Sequence, residues 1–282
     1  MADGCTAEQA DRVSERASVA GRKASPTGTK RVAASASART DPPKEGPAAA
    51  REVAIALDAG VFLRAALGCI VVLAFIGVLV VILDHLREEG VPRLILRGFL
   101  LDAEANVPTL FAFSLLLFAA ALLAAIGAGA FLARERYRFH WALLAALFFL
   151  VGYDEAARMH EKLNDPVGAA LGGSSGMAHF PWVIPAGGLV AALTLIYLPF
   201  VRDLPAPIGR LFVLSAALYV GGALGVEMLG AAHAETHGVY ELTYYLITTV
   251  EETLEMLGVA VFAYALVRFL GLQQRKVRLS FR

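Results

Sequence analysis

The chain has 282 residues, of which 57% are hydrophobic and 18% are charged, and its 25 Lys and Arg residues balance its 25 Asp and Glu residues. Soluble domains are about 45 to 50% apolar and about 25% charged. The composition, with a mean hydropathy of +0.62, therefore excludes an ordinary water-soluble globule and indicates a polytopic membrane protein.

Residues 1–58 differ from the rest of the chain because they are rich in Ala, Ser, Thr, Gly and Pro. Their apolar residues show no periodicity long enough to form a buried face, which predicts a disordered tail. The tail also lacks the apolar stretch of a secretory signal. The predicted organisation is a disordered cytoplasmic tail over 1–58, a transmembrane domain over 59–271 and a basic cytoplasmic tail over 272–282.

Six apolar segments follow the N-terminal tail, at residues 65–83, 105–133, 139–153, 180–201, 211–226 and 256–267. A helix needs about 20 residues to cross a hydrocarbon core of about 30 Å. The first, second and fourth segments are about that long, whereas the third, fifth and sixth have only 15, 16 and 12 residues. The predicted fold class is all-α, a six-helix transmembrane bundle in which three helices carry polar residues inside the membrane.

The positions of the basic residues predict the orientation of the bundle. Nine lie in the N-terminal tail, and others lie in the short second-to-third and fourth-to-fifth connections and at the C-terminus. The opposite side has only Arg87, Arg93, Arg97, Arg158 and Lys162 in its connections. The positive-inside rule therefore predicts that both termini are cytoplasmic.

Acidic residues recur at one depth of the predicted membrane domain. Four of them lie 13 to 17 residues from the cytoplasmic Arg that bounds their segment: Asp154, Glu227, Glu251 and Glu255. At 1.5 Å per residue these offsets correspond to roughly 20 to 26 Å, which is still within the hydrocarbon layer. Three helices therefore place acids in the same outer part of the membrane.

On the sixth helix the polar residues share one face. A stripe about 100° wide contains Tyr244, Thr248, Glu251, Glu252 and Glu255. Even one acid at the centre of a membrane helix costs about 2.5 to 3.5 kcal/mol on insertion scales. Three acids on one face therefore need shared protons or a bound cation.

The run GYDEAARMHEKL at the end of the third segment supplies Asp154, Glu155, Arg158, His160 and Glu161. If the helix continues through this run, Asp154 and Glu161 share one face, with Arg158 between them. Together with the acids of the fifth and sixth helices, this run gives a predicted cluster of seven acids and two bases, with a charge of −5 if all ionise. The acids are Asp154, Glu155, Glu161, Glu227, Glu251, Glu252 and Glu255, and the bases are Arg158 and Lys162. Such an excess again favours shared protons or bound cations.

Two outer loops contain candidates for a lid over the acids. LLDAEANVPTL contains Asp102, Glu104 and Asn106, and GAAHAETHG contains His233 and His237. Two His residues four apart can chelate zinc if the helix continues there. The complete set of candidates for a lid or supporting layer is Asp102, Glu104, Asn106, Arg158, His233, His237, Tyr244 and Thr248.

With LLDAEANVPT, YDEAARMHE, GALGVEMLG and VEETLEMLG, the chain resembles a group of bacterial inner-membrane proteins of unknown function over about residues 60–270. The resemblance implies a location in the bacterial inner membrane and brings no activity with it. The acids depart from the His, Asp and Ser set of alkaline ceramidases. They depart also from the Glu-x-x-His pairs of ferritin-like di-iron bundles.

These patterns favour a pocket near the extracytoplasmic face that binds a divalent metal ion. The candidate metal ligands are Glu227, Glu251, Glu252, Glu255, His160 and Glu161. Asp154 and Glu155 are candidates for the catalytic base if the protein is a metal-dependent enzyme. The alternatives are a cation- or proton-coupled transporter, in which the acids form a relay, and a scaffold subunit of a membrane complex. The expected partner is the lipid bilayer, and no nucleic-acid partner is expected.

Overall fold

A computed structural model describes residues 52–54, 57–86, 91–103, 105–273 and 278–280. Most of the predicted N-terminal tail and Glu104 lie outside these residues. Six helical spans within them are long and apolar enough to cross a membrane. They are α1 (Ala59–Leu86), α3 (Val107–Leu132), α4 (Arg138–Ala157), α6 (Val183–Asp203), a fifth span over Ala206–His237, and α9 (Leu242–Leu272). The predicted six-helix transmembrane class is confirmed.

The fifth span consists of three consecutive parts: α7 (Ala206–Val220), a π-helical segment (Gly221–Val226) and α8 (Glu227–His237). Two shorter helices, α2 (Arg93–Phe99) and α5 (Asn164–Leu171), lie in the connections, with 3₁₀ turns at Glu161–Leu163 and Gly176–Ala178. The third, fifth and sixth spans have 20, 32 and 31 residues. Each is longer than its apolar segment because the helix continues through the acidic residues.

The last helix, α9, is at the centre of the bundle. It packs against α1, α3, α7, α8 and the π-helical segment, while α3 packs against α4. More than half of its most apolar stretch is buried, against about a tenth for α4 and α6. Large apolar side chains such as Phe75 and Leu195 are exposed on the outer helices, where they contact the lipid bilayer.

Two glycines bring the fifth span very close to α9. A Cβ atom at Gly258 would lie 2.8 Å from the backbone nitrogen of Tyr219, and one at Gly222 would lie 2.8 Å from the carbonyl oxygen of Glu251. Carbon atoms do not approach backbone atoms that closely, so only glycine permits this spacing. The close packing holds the acidic stretch of α9 directly against α7 and the π-helical segment.

The two ends of the described chain pair with each other. Strand β1 (Glu52–Ala54) lies within the range predicted to be a tail, and it pairs antiparallel with β2 (Arg278–Ser280). Both ends are therefore on one side of the bundle, as an even number of spans requires. We call this the terminal side and the opposite one the loop side, which contains residues 158–182 and the α8–α9 turn.

Candidate carboxylate site

Three carboxylates from two helices line one small cavity. Glu155 of α4 and Glu252 and Glu255 of α9 are in its wall, together with Tyr219 of α7. The remaining wall is apolar and comes from Ala112, Leu116, Met256 and Val259. This space, which we call the carboxylate cavity, has room for about one water molecule or one ion.

The carboxylate cavity separates the roles of the neighbouring residues Asp154 and Glu155. Glu155 lines the cavity. The Asp154 carboxylate instead accepts two hydrogen bonds from His160, one from the backbone N–H and one from the ring Nδ1, both at 2.7 Å. The residue spacing in the sequence leaves open which of the two faces inward, and the structure places Glu155 there.

A second group of acids lies between α8 and α9. The Glu251 side chain is within hydrogen-bonding reach of Glu227, and Glu251 is only 9% exposed. Trp182 Nε1 donates to Glu227 Oε1 at 3.1 Å. Two carboxylates so close together, away from water, need one proton or a cation between them. Glu251 is one helical turn from Glu255, which lines the carboxylate cavity. The pair formed by Glu227 and Glu251 is therefore next to that cavity.

The π-helical segment aligns the fifth span with both groups. Tyr219 and Glu227 are eight residues apart, which in an uninterrupted α-helix would separate them by about 80°. A π turn adds one residue, so the separation falls to about 20° and both side chains face α9. Tyr219 is thereby within hydrogen-bonding reach of Glu255, and Glu227 is within reach of Glu251.

The structure corrects the expectation that the third helix continues through Glu161. Helix α4 ends at Ala157, and Arg158 has a left-handed backbone with φ of 49°. The helix stops because this conformation turns the chain back over the helix end. Asp154 and Glu161 therefore share no helical face. Instead, His160 folds back onto Asp154, and Arg158 forms an ion pair with Glu161.

His160 also contacts the second acidic group through Trp182. The His160 and Trp182 rings lie 4.7 Å apart, and the Trp182 backbone N–H donates to Asn164 Oδ1 at 3.2 Å. Burial by itself lowers the pKa of His160. The hydrogen bond and charge of Asp154, with the charges of Glu161 and Glu227, outweigh this effect and raise the pKa above its ordinary value of 6.5.

This contact predicts that the fluorescence of Trp182 reports the protonation of His160. Protonated imidazole quenches indole, so emission should rise as the pH increases through a midpoint above 6.5. Asp154→Asn should move the midpoint to lower pH, because burial lowers the pKa of His160 and the variant removes the negative charge that opposes this effect. The pair stabilises the fold below about pH 6.5 and loses that contribution as pH rises through the folded-state pKa.

The measurement is a fluorescence titration of detergent-purified protein. Trp182→Phe serves as the control, because it removes the reporter and leaves only Trp141. A midpoint that is the same with and without Asp154 would contradict the assigned contact.

The other candidate residues lie around the site in different ways. Tyr244 and Thr248 are buried on the same stretch of α9 as the acids, and the charge of Asp102 acts on Tyr244 and Glu252. Asn106 caps α3 by accepting from Thr109 N–H at 3.0 Å, which is a structural role. His233 and His237 lie at the far end of α8, beyond the carboxylates.

A larger cavity of about 390 Å³ lies at the terminal side, away from Glu155, Glu252 and Glu255. Aromatic residues line it, and Asp203 accepts hydrogen bonds there from Arg136 at 3.1 Å and from Tyr137 at 2.5 Å. None of the predicted site residues that the structure describes lines this cavity.

Sequence reasoning missed Trp182, Tyr219 and Gly258, whereas it did expect the glycines around Glu227, which include Gly222, to pack closely. Trp182 precedes the fourth span, where a tryptophan is typical of a membrane interface, so its position gave no special signal. Tyr219 faces the acids only because of the π turn. Among the residues that the structure describes, no three His, Cys, Asp or Glu side chains are grouped closely enough to hold a metal ion as they stand.

One family comparison identifies the chain. The family described as a domain of unknown function, DUF8692, matches residues 65–269. The chain belongs to this family. The match begins within α1 and ends within α9, so it includes every acid of the site. No curated protein and no solved structure matches the chain.

Proposed function

We propose that this integral membrane protein binds a cation at its acidic residues, in the outer half of a bacterial inner membrane. The terminal side is the cytoplasmic side in this proposal. Support comes from Arg134, Arg136, Arg138, Arg202, Arg210 and Arg268, which lie on the terminal side. The carboxylates then lie near the extracytoplasmic face.

The observation that carries the proposal is the carboxylate cavity. It brings Glu155, Glu252 and Glu255 to one space with room for about one ion, inside apolar walls. Three ionised carboxylates in such a place repel one another and are poorly solvated. Each must take up a proton or share a cation, and a divalent cation compensates two of the three charges at once.

The chemistry of the cavity favours a hard divalent ion. Its polar lining consists of carboxylates and one tyrosine hydroxyl, all oxygen donors. Oxygen donors suit Mg²⁺, Mn²⁺ or Ca²⁺, whereas zinc is usually bound with nitrogen or sulfur ligands. The glutamates must close around the ion, since they are not grouped tightly enough beforehand. Glu227 and Glu251 are next to the cavity and can supply a further ligand or accept the displaced proton.

A metal-dependent enzyme is a narrower hypothesis that needs a substrate next to the ion. The carboxylate cavity, with room for about one water molecule, offers no space for an organic substrate. His160, held by Asp154, and Glu155 are the groups placed to act as a base in that case. Cation binding is therefore the function that we propose.

The test is metal analysis of detergent-purified protein equilibrated with Mn²⁺. We expect about one bound ion when the protein also carries His237→Ala. That change prevents the pair of His233 and His237 from binding a second ion. The double variant Glu252→Gln and Glu255→Gln should lose it, while Asp165→Asn, an exposed acid on the same side, should keep it. Absence of stoichiometric metal, or retention by the double variant, would refute the proposal.

Proton transfer is a second candidate function, and the contact between Glu227 and Glu251 favours it. Two carboxyl groups in hydrogen-bonding reach can share and exchange a proton, and the contact of Tyr219 with Glu255 extends the chain of polar groups toward the terminal side. A scaffold role has less support, because Glu251 is buried inside the bundle and offers no docking surface.

Proteoliposomes with a trapped pH indicator test proton transfer. If it is the function, an imposed pH gradient should dissipate faster with wild-type protein than with Glu251→Gln. Equal rates for wild type, Glu251→Gln and empty liposomes would rule it out.

A further inference from the structure

We propose a separate zinc site at the α8–α9 turn, formed by His233, His237 and Glu241. The two histidines are four residues apart near the end of α8, and helix α8 continues to His237. Their rings lie side by side with centroids 4.5 Å apart and planes within 10°. Glu241 immediately precedes α9, so an ion held by all three would join the two helices.

The hydrogen bonds of His237 leave its Nε2 atom available for a metal. Its Nδ1 lies 2.6 Å from Thr236 Oγ1, whose single proton is donated to a backbone carbonyl such as that of His233 at 3.2 Å. In the tautomer that the proposed site requires, the hydroxyl accepts from Nδ1–H, which puts the ring proton on Nδ1. Metal-binding histidines typically have this arrangement, because a partner on one nitrogen fixes the other as the ligand.

His233 presents the second nitrogen. Its Nε2 atom is buried and makes no hydrogen bond with any residue that the structure describes. The nearest acidic atom is Glu241 Oε2 at 3.8 Å. Two ligands of a tetrahedral zinc ion are about 3.4 Å apart, given metal–ligand bonds of about 2.0 to 2.1 Å. A small movement therefore brings both atoms to one ion.

Glu241 completes the ligand set by rotating its side chain. It is half exposed, at 51%, and so is free to turn toward the histidines. Two imidazoles, one carboxylate and one water form a usual tetrahedral zinc set, and imidazole distinguishes this site from the all-oxygen carboxylate cavity. Zinc bound here would restrict the movement of the α8–α9 turn. It would thereby also stabilise the position of Glu227, the first residue of α8.

The experiment uses full-length protein in detergent with Co²⁺ as a spectroscopic substitute and a chromophoric chelator to measure zinc affinity. Wild-type protein should bind one Co²⁺ with the intense visible absorption of tetrahedral coordination. His237→Ala should weaken zinc binding at least about tenfold, and Thr236→Val about 10- to 100-fold, since the hydroxyl orients the ring. His237 is exposed, so its loss leaves the packing intact.

The control is His85→Ala, an exposed histidine on the same side, which should not change the affinity. The double variant Glu252→Gln and Glu255→Gln should also leave it unchanged, which separates this site from the carboxylate cavity. Zinc affinities of His237→Ala and His85→Ala within twofold of each other, or absence of the tetrahedral cobalt spectrum in wild type, would overturn the proposal.

Discussion

Replacing Gly258 by alanine should destabilise the protein by about 1 to 3 kcal/mol, the usual range for overpacking a tight contact. The new methyl group would lie 2.8 Å from both the backbone nitrogen and the Cβ of Tyr219, and 3.0 Å from the carbonyl oxygen of Ser215. Backbone atoms cannot move aside as a flexible side chain can, so α7 and α9 must separate. Thermal unfolding in detergent measures the effect as a lower midpoint.

Gly271→Ala is the matched control because it lies in the same helix and no neighbouring atom of the described residues is within 4 Å of the added carbon. Alanine has a higher helix propensity than glycine, so this variant should be neutral or slightly stabilising. The close contact between α7 and α9 would be wrong if Gly258→Ala and Gly271→Ala unfolded at the same temperature.

Added Mn²⁺ should raise the unfolding midpoint of the wild-type protein. A ligand that binds only the folded state stabilises it by about 2.7 kcal/mol at 100 times its dissociation constant. The variant Glu252→Gln is compared with wild type both without metal and in its response to Mn²⁺. Without metal it should be at least as stable as wild type, because glutamine replaces a carboxyl group that must otherwise take up a proton. Its response to Mn²⁺ should be greatly reduced.

Asp165→Asn is the control for this second effect, since Asp165 is an exposed acid of α5. It should keep the wild-type response to Mn²⁺. The measurement is a thermal titration of the three proteins at several Mn²⁺ concentrations, in the His237→Ala background. A response of Glu252→Gln equal to that of wild type would show that the stabilising ion binds elsewhere.

The membrane fold could be predicted from the sequence because it depends on composition and periodicity. Six apolar segments identified six spans, and their short members indicated where helices would carry acids. The stripe of Tyr244, Thr248 and Glu251 on one side of α9 followed from helical spacing, and all three residues are buried. These features depend on local sequence, so one chain is enough to find them.

The detailed arrangement of the site depends on backbone features that local sequence does not specify. The left-handed residue Arg158 ends α4 early and sends His160 back to Asp154. The π-helical segment turns Tyr219 and Glu227 to the same face. Neither feature follows from regular helical spacing, which is why the sequence did not show which acids and aromatic residues are partners.

We propose that Glu155, Glu252 and Glu255 bind a divalent cation in the carboxylate cavity. An anomalous difference map from crystals grown with Mn²⁺ tests it most directly, because it shows the position of the metal itself. We expect a peak between these three carboxylates, about 2.2 Å from the ligand oxygen atoms, between the distances typical of Mg²⁺ and Ca²⁺. A map with Mn²⁺ only at other positions, or with no peak in the cavity, would contradict it.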